Sequence, residues 1–266
     1  MTGNAASGLN IGALFDVAGK TVIVTGGGRG IGRMIAEGFV RNGARVYISS
    51  RSTSDCEATA QELGTFGTCT ALPCDLSTPA GTQQLADLYG AHETVLDILI
   101  NNAGATWGSP LDDFPESGWD KTMNLNLKGV FFLSQKLLGA LRTAAARSGD
   151  ARIINIASVD ALRPSAMDNF AYTASKAGCV MLTRHLAKRL ARENILVNAI
   201  APGPFKTKMM AAFLADEDAE LIRANPLRRS GSPGDIAGTA IFLASAASAY
   251  MTGAVLPCDG GMAEIA

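Results

Sequence analysis

The chain has 266 residues, 47% of them hydrophobic, and a formal net charge of −1. That length and apolar content can fill one large core, so one domain is expected over residues 16–266, preceded by a flexible arm over 1–15. So balanced a charge supplies no global field to draw nucleic acid or an anionic membrane, and the expected partners are small molecules and copies of the chain itself. Residues 1–14 lack a basic region and a long apolar run. No stretch reaches the roughly 18 apolar residues of a membrane span, and a cytoplasmic address is expected. The five cysteines (Cys56, Cys69, Cys74, Cys179, Cys258) are scattered, with no C-x-x-C pair, as suits reduced thiols. His92 and His185 lie far apart without ligand-spaced neighbours, so no metal site is expected.

In chain order, the β-branched run Thr21-Val22-Ile23-Val24 reads as a strand. It enters the turn Thr25-Gly26-Gly27-Gly28-Arg29-Gly30-Ile31-Gly32, and Arg33 to Val40 follows with apolar residues at helical spacing. Strand, glycine turn and helix together make a phosphate cradle: glycine supplies backbone angles and clearance, and the helix N-terminus supplies free N–H groups. A second strand spans Ala44 to Ser50 and ends at Arg51. A helix through Glu57–Leu63 leads to a third strand over Cys69–Cys74, closed by Asp75-Leu76. Thr78-Pro79 starts a helix running to about Ala91, with an N-cap residue before proline. The fourth strand, Leu96 to Ile100, runs into Asn101-Asn102-Ala103-Gly104. A long helix is expected from about Trp119 to Arg147, a fifth strand from Arg152 to Ile156 ending at Ala157-Ser158, a helix from Tyr172 to Arg192, and a sixth strand from Leu196 to Ile200 exiting at Pro202-Gly203. Residues 205–224 read as an apolar helical lid with Met209, Met210, Phe213, Leu214, Leu221 and Ile222. A helix over Asp235–Ala246 and a strand at Ala254–Pro257 close the chain. Strands alternating with helices of this length imply an α/β fold, a doubly wound parallel sheet of about seven strands, with ligands at the strands' carboxyl ends.

Tyr172 and Lys176 are four apart on a predicted helix and share a face, and Ser158 ends the preceding strand at the ligand edge. On an arbitrary helix this spacing marks only an exposed tyrosine beside a solvated lysine; its place in a dinucleotide fold gives it chemistry. Reducing a carbonyl needs a proton donor for the oxygen, and a phenol with pKa near about 10 is poorly matched to neutral pH. Lowering it by about three units takes roughly 4 kcal/mol, which an ammonium about 4 Å away supplies at an effective dielectric near 20. Lys176 is expected to act so, and to hold the ribose hydroxyls. Ser158 is expected to fix the carbonyl oxygen against the phenol. At the end of the second strand, about 20 positions past the glycines, NAD enzymes of this fold carry an acid; here stands Ser49-Ser50-Arg51. Arg51 with Arg29 is expected to grip a 2′-phosphate, so NADP(H) is the expected cofactor, with NAD(H) the alternative.

The spacing of Gly26, Gly30 and Gly32, together with Asp75-Leu76, Asn101-Asn102-Ala103-Gly104, Asn126-Leu127-Lys128-Gly129, Ser158, Tyr172-Thr173-Ala174-Ser175-Lys176 and Pro202-Gly203, resembles the short-chain dehydrogenase/reductase family in the family's own order, from about Phe15 to Gly261. The resemblance implies Tyr172 as acid/base, Lys176 as ribose anchor and relay member, Ser158 as carbonyl binder, and Asn126 as holder of a relay water. It also implies Asp75 at the adenine amino group and Asn102 to Gly104 beside the adenine ribose. Gly26, Arg29, Gly30, Ile31, Gly32, Arg51, Leu76, Pro202, Gly203, Phe205 and Thr207 complete the expected cofactor contacts, and a homotetramer is implied. One departure stands out: fourteen positions separate Ser158 from Tyr172 where the family usually has thirteen, so the loop Val159 to Phe170 is expected to bulge. Asp160, Arg163 and Asp168 lie on that loop, as substrate contacts or as solvated charges. Ser117-Gly118-Trp119, Thr106-Trp107-Gly108 and Ala249 to Gly253 look most like the rhamnolipid-type β-ketoacyl reductase branch, which implies a 3-oxoacyl thioester. An alcohol, sugar, polyol or steroid dehydrogenase is the alternative. A non-catalytic dinucleotide sensor is a third reading, and such a module would be expected to lose the tyrosine or the lysine.

Overall fold

The computed structural model describes residues 9–207 and 220–265. The sheet is built from β1 (Thr21–Thr25), β2 (Arg45–Ser49), β3 (Thr68–Ala71), β4 (Ile98–Asn101), β5 (Ala151–Ile156), β6 (Ile195–Pro202) and β7 (Val255–Cys258), all parallel, in the order β3-β2-β1-β4-β5-β6-β7. This is the expected α/β doubly wound sheet of seven strands. Because side chains alternate along a strand, each apolar run serves two cores. Val22, Val24, Val46, Ile48, Ile98 and Ile100 face α2 (Gly30–Arg41), α3 (Thr53–Leu63) and α9 (Pro233–Ala244). Ile23, Tyr47, Leu99, Ile153 and Val197 face α4 (Pro79–His92) and the helices that follow β4. At about 1.5–3 kcal/mol per fully buried large aliphatic side chain, these two layers dominate the drive to fold.

Three elements differ from expectation. Between β4 and β5 the long helix is three: α5 (Glu116–Met123), α6 (Gly129–Lys136) and α7 (Leu138–Ser148), with a wide π-helical turn over Asn124–Lys128 between the first two. Helical spacing in the sequence carries no mark of that extra-wide turn, because neighbouring residues keep helical angles throughout. The third strand occupies Thr68–Ala71, ending before Pro73, which cannot donate to a ladder. Within the expected arm, Ile11–Leu14 form one helical turn, α1, capped by Asn10, and Phe15 packs on Phe242 with ring centroids 6.3 Å apart. Of the expected lid, residues 208–219 lie outside the described residues, as does the arm's stretch 1–8.

The strand order reverses direction between β1 and β4, and the crevice at their carboxyl ends is where such sheets receive ligands. At the opposite end, Asp97 lies buried and accepts the N–H and hydroxyl of Thr21 at 2.8 and 2.9 Å, with Lys20 and Arg147 beside it. No helix among the described residues is long and apolar enough to cross a membrane.

Candidate active site

The glycine turn closes β1 and opens α2. Gly26 and Gly30 take φ of +67° and +56°, angles open to glycine at little cost. A Cβ on Gly32 would stand 2.3 Å from the carbonyl oxygen of Gly26, so the helix enters the turn only because that atom is absent. The turn is also tied down. Thr25 Oγ1 accepts the N–H groups of Asn102 and Ala103, both at 2.9 Å, and Asn102 Nδ2 donates to Thr25 O at 2.8 Å. Asn102 therefore serves to fasten the ends of β1 and β4 together. Its Nδ2 is spent on the turn's own carbonyls, Thr25 O and Gly26 O. Gly104 lies next to the catalytic groups: a Cβ there would be 3.6 Å from Lys176 Nζ.

Around the cradle, Arg29 is exposed and stands 3.9 Å from Asp55, and Arg51 is exposed at the end of β2, where no carboxylate intervenes. Thr207 comes against Gly30, its Cγ2 3.3 Å from where a Cβ would sit. The Asp75 carboxylate accepts the N–H and hydroxyl of Ser77 at 3.1 and 2.8 Å, and Leu76 is buried in the core. Pro202 ends β6, and Gly203 abuts Asp259. Ile31 packs against the α2 side of the core. The Phe205 ring is 1% exposed and fills the space over Gly231, so its side chain belongs to the core, which leaves its backbone to face the crevice. A cradle with left-handed glycines, a helix N-terminus and two accessible guanidiniums fits a phosphorylated dinucleotide.

The reacting groups lie at the carboxyl end of β5 and on α8 (Phe170–Leu190). Ser158 is buried at the strand's exit, where its hydroxyl oxygen accepts the Asp160 N–H at 3.1 Å. Lys176, one helical turn further, has its Nζ 5.7 Å from the Tyr172 ring centroid and donates to Ile156 O at 2.7 Å. Burial pushes the Tyr172 phenol up to about 12, the Ser158 hydrogen bond lowers it and the Asp160 charge raises it again. Burial likewise pulls the Lys176 ammonium down. Proximity of Tyr172 and Lys176 is as expected. The ammonium is turned to a backbone carbonyl, and burial strips hydration from both groups.

Asn126 occupies the π-helical turn. Its Oδ1 accepts Ala105 N–H at 2.8 Å, while its Nδ2 donates to Ala105 O at 2.9 Å and to Ser175 Oγ at 3.0 Å. Ser175 in turn donates to Tyr172 O at 2.7 Å. Thr25 and Ser175 are the positioning residues that the sequence pattern did not single out. Hydroxyls that bond backbone leave no spacing signature. Among the described residues no group of three His, Cys, Asp or Glu side chains is placed to hold a metal ion.

The family described as enoyl-(acyl carrier protein) reductase matches residues 26–263. The chain is 47% identical to the rhamnolipids biosynthesis 3-oxoacyl-(acyl-carrier-protein) reductase of Pseudomonas aeruginosa, over 93% of this chain and 97% of that protein. It is 34% identical to the 5-keto-D-gluconate 5-reductase of Escherichia coli, over 94% and 97%. Among solved structures, the Pseudomonas aeruginosa RhlG/NADP active-site complex superposes with a TM-score of 0.91 at 45% identity, covering 94% of this chain and 98% of that one. A glycine turn at the sheet's switch point, the serine, tyrosine and lysine at its carboxyl edge, and relatives matched over nearly their whole length agree: the chain belongs to the short-chain dehydrogenase/reductase family and is an NAD(P)-dependent oxidoreductase acting on keto and hydroxyl groups.

Proposed function

We propose that the protein reduces the ketone of a 3-oxoacyl thioester with NADPH. The observation that carries the reading is the convergence of Ser158, Tyr172 and Lys176 beside a glycine cradle flanked by Arg29 and Arg51 and free of a ribose-binding acid. When bound, the nicotinamide supplies the hydride. Ser158 donates to the carbonyl oxygen and holds it against the phenol, and Tyr172 gives that oxygen its proton. Lys176, freed from the Ile156 carbonyl, turns to the ribose hydroxyls and lowers the phenol's pKa. Asn126 keeps the loop after β4 and the start of α8 in register around these groups, with a relay water behind the lysine. The thioester is favoured by the 3-oxoacyl-(acyl-carrier-protein) reductase activity of the 47% identical relative, and NADPH by the NADP in the RhlG complex.

The sugar-acid reading is favoured by the polar loop that bears Asp160, Arg163 and Asp168 and by the 34% identical keto-gluconate reductase. A panel of 3-oxoacyl thioesters of increasing length and of keto-gluconates, followed by loss of NADPH absorbance, separates the two. Each buried methylene contributes up to about 0.8 kcal/mol to kcat/KM on the thioester reading. Indifference to chain length with turnover of keto-gluconates sinks it. We further propose a cytosolic homotetramer: a groove of about 610 Å³ between the α5–α6 segment and α8 exposes Phe131 and Met181, the sort of apolar face a second copy covers.

A further inference from the structure

Asn169 stands immediately before α8, where an asparagine ordinarily turns its side-chain oxygen to the free backbone N–H groups of the first helical turn. It makes no such bond. The side chain is buried and joins two other segments instead: Nδ2 donates to Asp160 Oδ2 at 3.4 Å, and Oδ1 accepts the Thr173 hydroxyl at 3.1 Å. Asp160 belongs to the 3₁₀ turn Val159–Ala161 that directly follows Ser158, and its own N–H donates to the Ser158 hydroxyl oxygen at 3.1 Å. Thr173 is the neighbour of Tyr172 on α8, and its N–H donates to Asn169 O at 3.1 Å. The residues on either side of Asn169 are held as well. Asp168 O accepts the Ser109 N–H at 3.1 Å, and the Phe170 ring meets Phe114 edge to face with centroids 5.8 Å apart, so the loop after β4 is tied to the same short stretch.

We infer that Asn169 is a positioning residue for ketone reduction: its side chain holds the turn after Ser158 and the first turn of α8 at the separation at which the serine hydroxyl and the Tyr172 phenol act on one carbonyl oxygen. The inference rests on the roles proposed above for Ser158 and Tyr172. Those two residues come from different elements, a strand end and a helix, and fourteen positions of chain separate them. Over so long a connection the backbone alone fixes neither their distance nor their angle. The Asn169–Asp160 bond joins positions nine apart within that connection and takes up most of its slack. On the helix side the Thr173 bonds fasten Asn169 to the turn that carries the phenol, and on the serine side the Asp160 N–H fastens the 3₁₀ turn to the hydroxyl itself. The helix cap is forgone for this link. Geometry of this kind matters to rate, because a displacement of about 1 Å caused at a distance from the chemistry can cost about 10²-fold.

The test measures kcat and KM for ketone reduction, and the NADPH dissociation constant by fluorescence of the bound nicotinamide, at a temperature well below each variant's unfolding midpoint. Asn169→Ala removes both bonds. Asn169→Asp keeps the side chain's shape and the acceptor for Thr173 but loses the donor to Asp160. Both are expected to lower kcat by about 10- to 100-fold while NADPH affinity stays near wild type. The double variant Asp160→Asn/Asn169→Asp exchanges donor and acceptor, so that an amide at position 160 donates to a carboxylate at position 169, and it is expected to recover most of the lost kcat. Wild-type kcat in the single variants overturns the inference. So does a fall in kcat matched by an equal fall in NADPH affinity, which a general loosening of the fold predicts. If Asn169→Ala does not fold, the isosteric pair decides: a double variant no faster than Asn169→Asp overturns the inference. A Tyr172→Phe enzyme with near wild-type turnover overturns the donor reading underneath. An inactive Tyr172→Phe beside an Asn169→Asp enzyme of wild-type kcat overturns only the role given to Asn169.

Discussion

Asn126 and Ala105 exchange two hydrogen bonds, N–H to side-chain oxygen at 2.8 Å and side-chain amide to carbonyl at 2.9 Å, so that a helix side chain pairs with a loop as one strand pairs with another. The pair is buried, and it joins the loop after β4 to the π-helical turn from which α6 departs. Through Ser175 the same amide reaches the backbone of Tyr172.

Asn126→Ala leaves the N–H and carbonyl of Ala105 buried without partners. At about 1–3 kcal/mol for each unmet group, a loss of about 2–4 kcal/mol is expected, read as a lower denaturation midpoint at unchanged slope. Turnover falls with it, since Ser175 and the start of α8 lose their tie. A midpoint within experimental scatter of wild type would show that the loop finds other partners.

Tyr172→Phe removes one hydroxyl from a helix that the rest of its face already holds. Thermal stability and cofactor affinity are expected to stay near wild type, while single-turnover reduction slows by 10²-fold or more, the scale of a general acid. Rates within a few-fold of wild type would take the phenol out of the reaction.

Arg51 stands exposed where an acid would select NAD. Charge-assisted hydrogen bonds contribute about 1.5–3 kcal/mol each, so Arg51→Ala is expected to cost roughly ten- to a hundred-fold in kcat/KM with NADPH and little with NADH. Arg51→Asp should go further and invert the preference. A wild type that uses NADH as well as NADPH would remove the basis for both expectations.

Asp97 gives the fold an acid sensitivity that belongs to no catalytic group. Burial alone would raise its carboxyl, but the Thr21 N–H and hydroxyl, Lys20 and Arg147 outweigh burial and hold it below the ordinary value. A group depressed in the folded state contributes stability above its unfolded pKa, about 3.9, and loses that contribution as pH falls through the folded value. Stability measured by denaturant should therefore drop below about pH 4 in wild type, and Asp97→Asn should flatten that drop while lowering stability at neutral pH. An unchanged acid slope in the variant would place the sensitivity elsewhere.

Much of this was legible in the sequence, for a physical reason. Strands such as Thr21–Thr25 and Arg152–Ile156 are buried on both faces, so their apolar runs are uninterrupted, and glycines at forced angles cannot be exchanged for anything else. Ser158, Tyr172 and Lys176 could be placed because a strand end and one helix face fix where side chains go. What stayed hidden depends on contacts between distant segments. The π-helical turn at Asn126 is held by Ala105, the amide of Asn102 by Thr25, and the Phe205 ring by Gly231. The direction of the Lys176 ammonium was hidden for a related reason. Spacing places Lys176 nearby, but only the fold shows that its ammonium is turned to Ile156 and that both groups are desolvated.

The fastening of the glycine turn by Thr25 and Asn102 has a bearing on how such an enzyme changes partners over evolutionary time. Because the turn's shape is enforced from within the protein, the ordering entropy of that loop is settled when the chain folds, and an arriving dinucleotide meets a surface that need not rearrange. Affinity then depends on side chains at the cradle's rim, and those groups, Arg29 and Arg51, stand on the surface with little packed on them. Substitutions there disturb no core contact. One nucleotide specificity can drift into another through folded, working intermediates, while the turn itself remains closed to change.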